Sequence, residues 1–337
     1  MKAVAYQSAG PLERADALVD VQLDKPVPHG RDLLVEVQAI SVNPADYKVR
    51  RSVPAEPGQW KVLGWDAVGT VVAAGEGVRS FNPGDEVFYA GSLIRPGTNS
   101  EFHLVDERIV GRKPASLTAA EAAALPLTAI TAWEMLFDRL DVARPVPGAA
   151  KAVLIIGGAG GVGSLAIQLL RALTDLTVIA TASRPETRSW VKELGAHHVV
   201  DHHAPLAAQV AALGIGAPAF VFSTNETHRQ LDEIAALIAP QGRFGLIDDP
   251  ETLDVVGFKR KSVSIHWELM FTRPIFETAD MEEQGKLLNR LAGLVDAGRI
   301  RTTLTERMSP INAANLRKAH ALLESGKAKG KIVLEGF

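Results

Sequence analysis

The sequence predicts an α/β protein in two parts: a barrel-like β region and a doubly wound parallel sheet with helices packed on it. Three observations carry this. Val153, Leu154, Ile155 and Ile156 form an unbroken apolar run, as in a strand buried on both faces, and lead straight into a glycine turn and a helix-spaced apolar series. Strand-like and helix-like segments then alternate as far as residue 247, the pattern of a parallel sheet. Residues 1–125 instead carry short β-prone segments split by turns. A chain of 337 residues exceeds the size at which single cores stop growing, so two domains are expected.

Taken in order, residues 2–6, 33–41, 68–74, 85–89 and 101–105 read as strands, with turns at Gly75-Glu76-Gly77 and Asn82-Pro83-Gly84-Asp85. Thr118 and Glu121 offer a capping box ahead of an alanine-rich helix, and residues 129–139 continue helically after Pro126. Strands follow at 152–156, 177–181, 198–200, 219–222 and 243–247, alternating with helices at 161–173, 186–194, 204–212 and 226–238. A strand at 262–266, helices at 279–297 and 311–324 and a last strand at 331–334 complete the chain. The pattern leaves open whether these C-terminal elements close the parallel sheet or return to the β region.

Composition narrows the partners. A hydrophobic fraction of 47%, a charged fraction of 22% and a net charge of −3 are ordinary for a globular protein and give no footprint for nucleic acid or an anionic membrane. No apolar run reaches the roughly 18 residues of a membrane span. Cysteine is absent, which removes disulfides, thiol nucleophiles and thiolate zinc sites together. The reading is a cytoplasmic protein acting on small molecules.

The chemistry starts at the glycine turn. Gly158, Gly160 and Gly163 spell G-x-G-x-x-G, with Gly157 and Gly161 filling in around them. The first glycine permits the tight turn, the second lets backbone approach a pyrophosphate, and the third lets helix and strand pack closely. Gly161 and Val162 open the helix, so their amides and the helix dipole would meet the phosphates. About 20 residues on, where an NAD enzyme places an acid on the ribose, the chain reads Thr181-Ala182-Ser183-Arg184. A hydroxyl and a guanidinium suit a 2′-phosphate, so NADPH is the expected cofactor. His197, His198, His202 and His203 lack metal-site spacing; they read as solvated or structural, with His202 alternatively flanking the adenosine phosphate.

With Ser41-Val-Asn-Pro-Ala-Asp46, Gly64-Trp-Asp-Ala-Val-Gly69, Pro83-Gly-Asp85, Leu125-Pro-Leu-Thr128, the glycine turn and Gly330-Lys-Ile-Val333 in this order, the chain resembles the medium-chain dehydrogenase/reductase superfamily. Within it, the zinc-free members similar to quinone oxidoreductases and enoyl reductases match best, above all a bacterial subgroup called zinc-type alcohol dehydrogenase-like. The resemblance implies a GroES-like catalytic domain, residues 1–125 and 268–337, around a Rossmann NADP-binding domain, residues 126–267. It also implies a homodimer built on Rossmann-domain strands or helices, and a nicotinamide and substrate cleft between domains.

Zinc alcohol dehydrogenases of the superfamily place a cysteine and a histidine where this chain has Asn43 and Trp65, and neither replacement can serve as such a ligand. No metal is therefore expected. By the same resemblance Asn43 contacts the nicotinamide ribose or a substrate oxygen, unless it is only a turn residue ahead of Pro44. Thr128 lies near the nicotinamide carboxamide or caps a helix. Tyr47 is a candidate proton or hydrogen-bond donor, or a wall of the cleft. Asp46 and Asp66 are implied to be mainly structural. Trp65, Trp267 and Met270 are substrate-pocket candidates. The expected function is NADPH-dependent hydride transfer to a quinone or an α,β-unsaturated carbonyl, since an alcohol without a Lewis acid is hard to activate. A metal-free alcohol or aldehyde oxidoreductase and a non-catalytic NADPH-binding redox sensor are the alternatives.

Overall fold

In the computed structural model, which describes residues 1–337, the chain divides into two compact units. One comprises Met1–Ile130 and Phe271–Phe337, and the other Thr131–Met270. No helix is long and apolar enough to cross a membrane.

The first unit begins with β1 (Lys2–Tyr6), β2 (Val19–Gln22), β3 (Asp32–Val42), α1 (Pro44–Ser52), β4 (Lys61–Val62) and β5 (Ala67–Ala74). It continues through β6 (Glu86–Tyr89), β7 (Phe102–Asp106), β8 (Val110–Arg112), α2 (Ala119–Ala123) and the start of α3 (Pro126–Trp133). β3 organises it. This 11-residue strand pairs antiparallel with β5 and β7, and its register against β5 shifts twice, between Leu34 and Val35 and between Val37 and Ala39. Such bulges bend a strand and raise its twist, which curls the sheet. Gly69 on β5 accommodates the close approach: a Cβ there would lie 2.1 Å from the Glu36 carbonyl oxygen.

Helix α1 escapes the sequence pattern because its apolar spacing is poor. It forms on local chemistry instead: Asn43 is extended at the N-cap, Pro44 sits at the first helical position, and the Asp46 carboxylate accepts the Asn43 N–H at 2.7 Å. The Thr118–Glu121 capping box does start α2.

In the second unit, β9 (Ala150–Ile156), β10 (Thr177–Thr181), β11 (His198–Val200), β12 (Pro218–Ser223), β13 (Arg243–Leu246) and β14 (Ser264–Trp267) form one sheet. Its order is β11-β10-β9-β12-β13-β14, every neighbouring pair parallel. This is a Rossmann sheet, whose strand order reverses between β9 and β12. α4 (Gly161–Leu173), α5 (Pro185–Glu193), α6 (Leu206–Ala212) and α7 (Leu231–Leu237) connect the strands. Leu154, Ile179, Val221, Phe244 and Ile234 are fully buried in its core.

Two helices expected in this unit are broken. Residues 226–238 split because Glu226 adopts a left-handed φ of 49°, leaving a 3₁₀ turn at Thr227–Arg229 before α7. The helix running through α3 closes in a π-helical turn, Glu134–Arg139.

After Met270 the chain returns to the first unit through α8 (Thr272–Phe276), α9 (Glu283–Asp296), β15 (Leu304–Met308), α10 (Ala313–Glu324) and β16 (Lys331–Glu335). The question left open by the pattern is thereby answered. β16 lies antiparallel to β3, with Ile332 opposite Val42, and β15 runs parallel beside it, which completes a seven-stranded sheet. The helix expected over 279–297 is shorter, because residues 279–282 are consumed in turns behind α8.

Candidate functional site

In the second unit the site is built around the β9–α4 turn. Gly157 takes a φ of 80°, and its N–H donates to the Thr181 hydroxyl at the end of β10. The glycines divide by what a side chain would meet. At Gly163 a Cβ would lie 2.4 Å from the Gly157 carbonyl oxygen and 2.7 Å from Gly158 Cα, so this glycine lets helix and turn pack. At Gly158 a Cβ would crowd Ala180 at 2.9 Å. At Gly160 it would meet only the Gly157 carbonyl oxygen, at 3.5 Å. Nothing in the protein crowds a side chain at 160, which leaves the backbone there open to close approach by a ligand. Gly160 is also the N-cap of α4 and supplies no side-chain cap, so the amides of the first turn, Gly161 and Val162 among them, lack an intrahelical acceptor. The turn fits a pyrophosphate.

Ser183 and Arg184 follow β10 directly, both half-buried, and Arg184 opens α5. Its guanidinium pairs with Glu186 at 3.0 Å. Behind it Arg188 donates to the carbonyls of Ala182 and Val199, fixing the loop between β10 and β11. His202 is half-buried, lies edge-tilted on His203 at 4.5 Å, and has its Nδ1 without a partner. Burial, and after it His203, hold it below the ordinary imidazole value. His197, by contrast, is structural: its Nδ1 accepts the Val178 N–H and its Nε2 faces Arg171.

Sequence reasoning overlooked Thr224 and Asn225, just past β12 at the strand-order reversal. The side chains of both lie over Gly157, where a Cβ would collide with them at 2.2 and 2.4 Å. The polar run Ser223-Thr224-Asn225 ending a buried strand was the available signal. Trp267, 56% exposed, ends β14 and donates its indole N–H to the Asp248 carbonyl, whereas Met270 is buried.

In the first unit Asp66 draws Asn43 and the start of α3, where Thr128 lies, to one buried carboxylate. Asn43 is only 1% exposed and both ends of its carboxamide are engaged. Its Nδ2 donates to Asp66 Oδ2 at 2.8 Å and its Oδ1 accepts from the Lys331 ammonium. Within the protein, Asn43 thus ties two buried charges together. Lys331 donates as well to the Val42 carbonyl and to Asp66 Oδ2, each near 3 Å, with both charged side chains almost wholly excluded from solvent. The other Asp66 oxygen accepts the Leu127 N–H at 2.7 Å, anchoring the start of α3. Trp65 is buried, its indole N–H bonded to the Ser92 carbonyl and its ring edge-on to Phe271. Thr128 is not an N-cap; it sits in the first turn of α3 and donates its hydroxyl proton to the Leu125 carbonyl. Tyr47 remains half-buried on α1.

Burial pushes both carboxyls of this cluster up. Asp46 rises to about 7, its charge opposed further by Asp66 and favoured by the Asn43 N–H and Lys331. Asp66 shifts the same way, with Lys331 as the main opposing influence. A zinc ion does not fit here. The donor set lacks thiolate and imidazole, and an ammonium already lies between the Asn43 and Asp66 oxygens. No group of three or more His, Asp or Glu side chains is arranged to hold a metal ion.

Two outcomes follow from this geometry. Gly160→Ala should fold with stability within about 1 kcal/mol of the parent yet lose dinucleotide affinity, whereas Gly163→Ala should be destabilised by about 1–3 kcal/mol. Denaturant unfolding and cofactor titration read the two effects separately. Lys331→Met should cost about 3–5 kcal/mol by leaving Asp66 uncompensated, and Lys331→Met with Asp66→Leu should recover much of it. Unfolding of the two variants side by side decides this.

Comparison with known proteins agrees with the fold. Residues 29–124 match the alcohol dehydrogenase GroES-like domain family and residues 194–334 the zinc-binding dehydrogenase family. A zinc-type alcohol dehydrogenase-like protein of Staphylococcus aureus is 40% identical over 99% of both chains. A human mitochondrial NAD(P)H oxidoreductase is 32% identical, over 90% of this chain and 81% of its own. A crystal structure from Rhizobium etli, of an alcohol dehydrogenase protein named for an inferred zinc dependence, superimposes with a TM-score of 0.98 at 69% identity, covering 100% of this chain and 98% of the other. With two family matches in sequence and relatives matching end to end, the chain belongs to the medium-chain dehydrogenase/reductase superfamily and is an oxidoreductase of that superfamily.

Proposed function

We propose that the protein is an NADPH-dependent reductase that passes hydride to a quinone or an α,β-unsaturated carbonyl compound without a catalytic metal. The observation that carries this reading is the Lys331 ammonium seated between Asn43 and Asp66, a cluster whose donors suit a lysine and not a zinc ion. Reduced nicotinamide, when bound, supplies the hydride. With no built-in Lewis acid, the acceptor must spread the developing negative charge itself, as quinones and enones do and simple aldehydes do not. The chain's part is positioning. The α4 amides hold the pyrophosphate, and Tyr47 is the hydroxyl this reading aims at the acceptor oxygen.

Ser183 and Arg184 favour the 2′-phosphorylated cofactor. The Arg184–Glu186 pair at the surface is worth only about 0.2–1 kcal/mol. The human relative's name, NAD(P)H oxidoreductase, supports the cofactor class. A homodimer paired along β14 is part of the same reading. That strand is the sheet edge, and Val255, Val256, Trp267 and Leu269 stand exposed around it.

In steady-state assays with NADPH, quinones and enones should be turned over and simple aldehydes should not; aldehyde turnover alone would sink the proposal. Arg184→Ala should weaken NADPH binding by at least tenfold, the loss of a charge-assisted phosphate contact, and leave NADH binding nearly unchanged. Equal losses for both cofactors would remove the phosphate assignment.

A further inference from the structure

The glycine turn is flanked on two sides. Toward β10 it meets the Thr181 hydroxyl, and toward β12 it meets the side chains of Thr224 and Asn225. The segment that carries these two residues is fixed from both neighbouring strands. Thr224 donates its N–H and its hydroxyl proton to the Ile156 carbonyl at the end of β9, at 3.1 and 2.9 Å. Three residues on, the buried Thr227 donates its N–H to Asp248 Oδ2 at 2.8 Å and its hydroxyl proton to Asp248 Oδ1, just past β13.

A carboxylate can only accept, so the Thr227 proton is committed to Asp248. In the 2.8 Å bond between Ser223 and Thr227 the donor is therefore Ser223, and the chain Ser223–Thr227–Asp248 runs in one direction. Between the anchors the backbone passes through Glu226 at a left-handed φ of 49°, with its carboxylate paired to Arg229 at 2.8 Å. A non-glycine residue keeps that conformation only where its surroundings impose it, and such residues gather at ligand sites.

Asn225 is the exception within this clasp. Its side chain is exposed, and its one hydrogen-bonding neighbour in the protein is the Thr224 hydroxyl, 3.5 Å away, whose single proton is drawn to Ile156 at 2.9 Å. The anchors thus hold in place a carboxamide that the protein itself does not use. Its position is specific, since a Cβ on Gly157 would come within 2.4 Å of Asn225 Oδ1. β9 and β12 are also the strands between which the sheet order reverses, and a doubly wound sheet takes its ligand in the crevice outside their carboxyl ends. The strands from β12 onward serve the second mononucleotide, so Asn225 borders the pyrophosphate seat on the nicotinamide side.

We propose that Asn225 donates a carboxamide N–H to an oxygen of the nicotinamide mononucleotide half of the cofactor, on its phosphate or its ribose, and that the Ser223–Thr227–Asp248 chain is what positions it. The inference rests on the dinucleotide reading of the glycine turn. It is independent of the 2′-phosphate contacts of Ser183 and Arg184, which lie on the adenosine side. A preset donor of this kind is held by its supporting bonds before the ligand arrives, so binding need not order it.

The test is calorimetric titration of the full chain with probes that share the adenosine half and differ beyond it: NADPH, 2′-phosphoadenosine diphosphoribose, which lacks only the nicotinamide ring, and 2′,5′-ADP, which ends at the adenosine-side phosphate. Asn225→Ala should weaken the first two about tenfold, the loss of one hydrogen bond to a charged or hydroxyl oxygen, and leave 2′,5′-ADP within about twofold of the parent. Asn225→Asp keeps the shape but places a negative charge beside the pyrophosphate, so its loss should be larger and should shrink as salt is raised. Thr227→Val should show the same split between probes, while Thr227→Ser, which keeps the hydroxyl, should bind like the parent. Adenosine 2′-phosphate 5′-diphosphate separates the two oxygens: a loss there assigns the phosphate, and an unchanged affinity assigns the ribose. An equal loss for 2′,5′-ADP, a loss confined to NADPH, or no loss for any probe overturns the role of Asn225. Thr227→Val binding every probe like the parent overturns the positioning chain. A parent that binds neither NADPH nor NADH overturns the cofactor reading itself.

Discussion

The first unit is assembled around one buried ion pair, Lys331 with Asp66. An isolated buried pair is a poor source of stability, because removing two charges from water costs about what their attraction returns. What it supplies is uniqueness. Lys331 reaches Val42, Asn43 and Asp66, and Asp66 reaches Leu127, so four segments far apart in sequence must meet before either charge is satisfied. A register slip of one residue in β16 would turn Lys331 to the other face of the sheet and leave Asp66 charged and alone. The pair thus specifies how the C-terminal strand closes onto β3. It does so where other members of the superfamily, by the resemblance, keep a metal, and a metal would impose a similar multi-segment constraint through coordination.

How much of this was legible in the sequence depends on the range of the physics involved. The glycine turn was legible because each glycine answers a local demand, and the strand before it is apolar throughout. β10, β11 and α4 were read at their observed bounds for the same reason. α1 was not, since its start is set by the Asn43–Asp46 cap rather than by apolar spacing. The split at Glu226 and the π turn at Glu134 were not either, because a left-handed residue and an inserted residue depend on what packs above them.

The site residues divide the same way. Gly160, Gly161, Val162, Ser183 and Arg184 follow strand ends, so their placement comes with the secondary structure. The engagement of Asn43 with Asp66 and Lys331 was not legible because these partners lie 23 and 288 residues away. A carboxamide ahead of a proline looks free until those partners arrive. Thr224 and Asn225 were missed for a related reason: they belong to the turn only through the strand order, which places β12 beside β9.

The two units hold buried acids in different ways. In the first, Asp66 is balanced by a lysine that is itself buried and held by three oxygens, so the compensating charge cannot leave. In the second, Glu268 is wholly buried and meets the guanidinium of Arg139, whose side chain is 36% exposed. A lysine caged by three oxygens keeps its place, whereas an arginine reaching in from the surface can swing back into water. Closure of the first unit by its C-terminal strand is thus entrusted to a fixed cation.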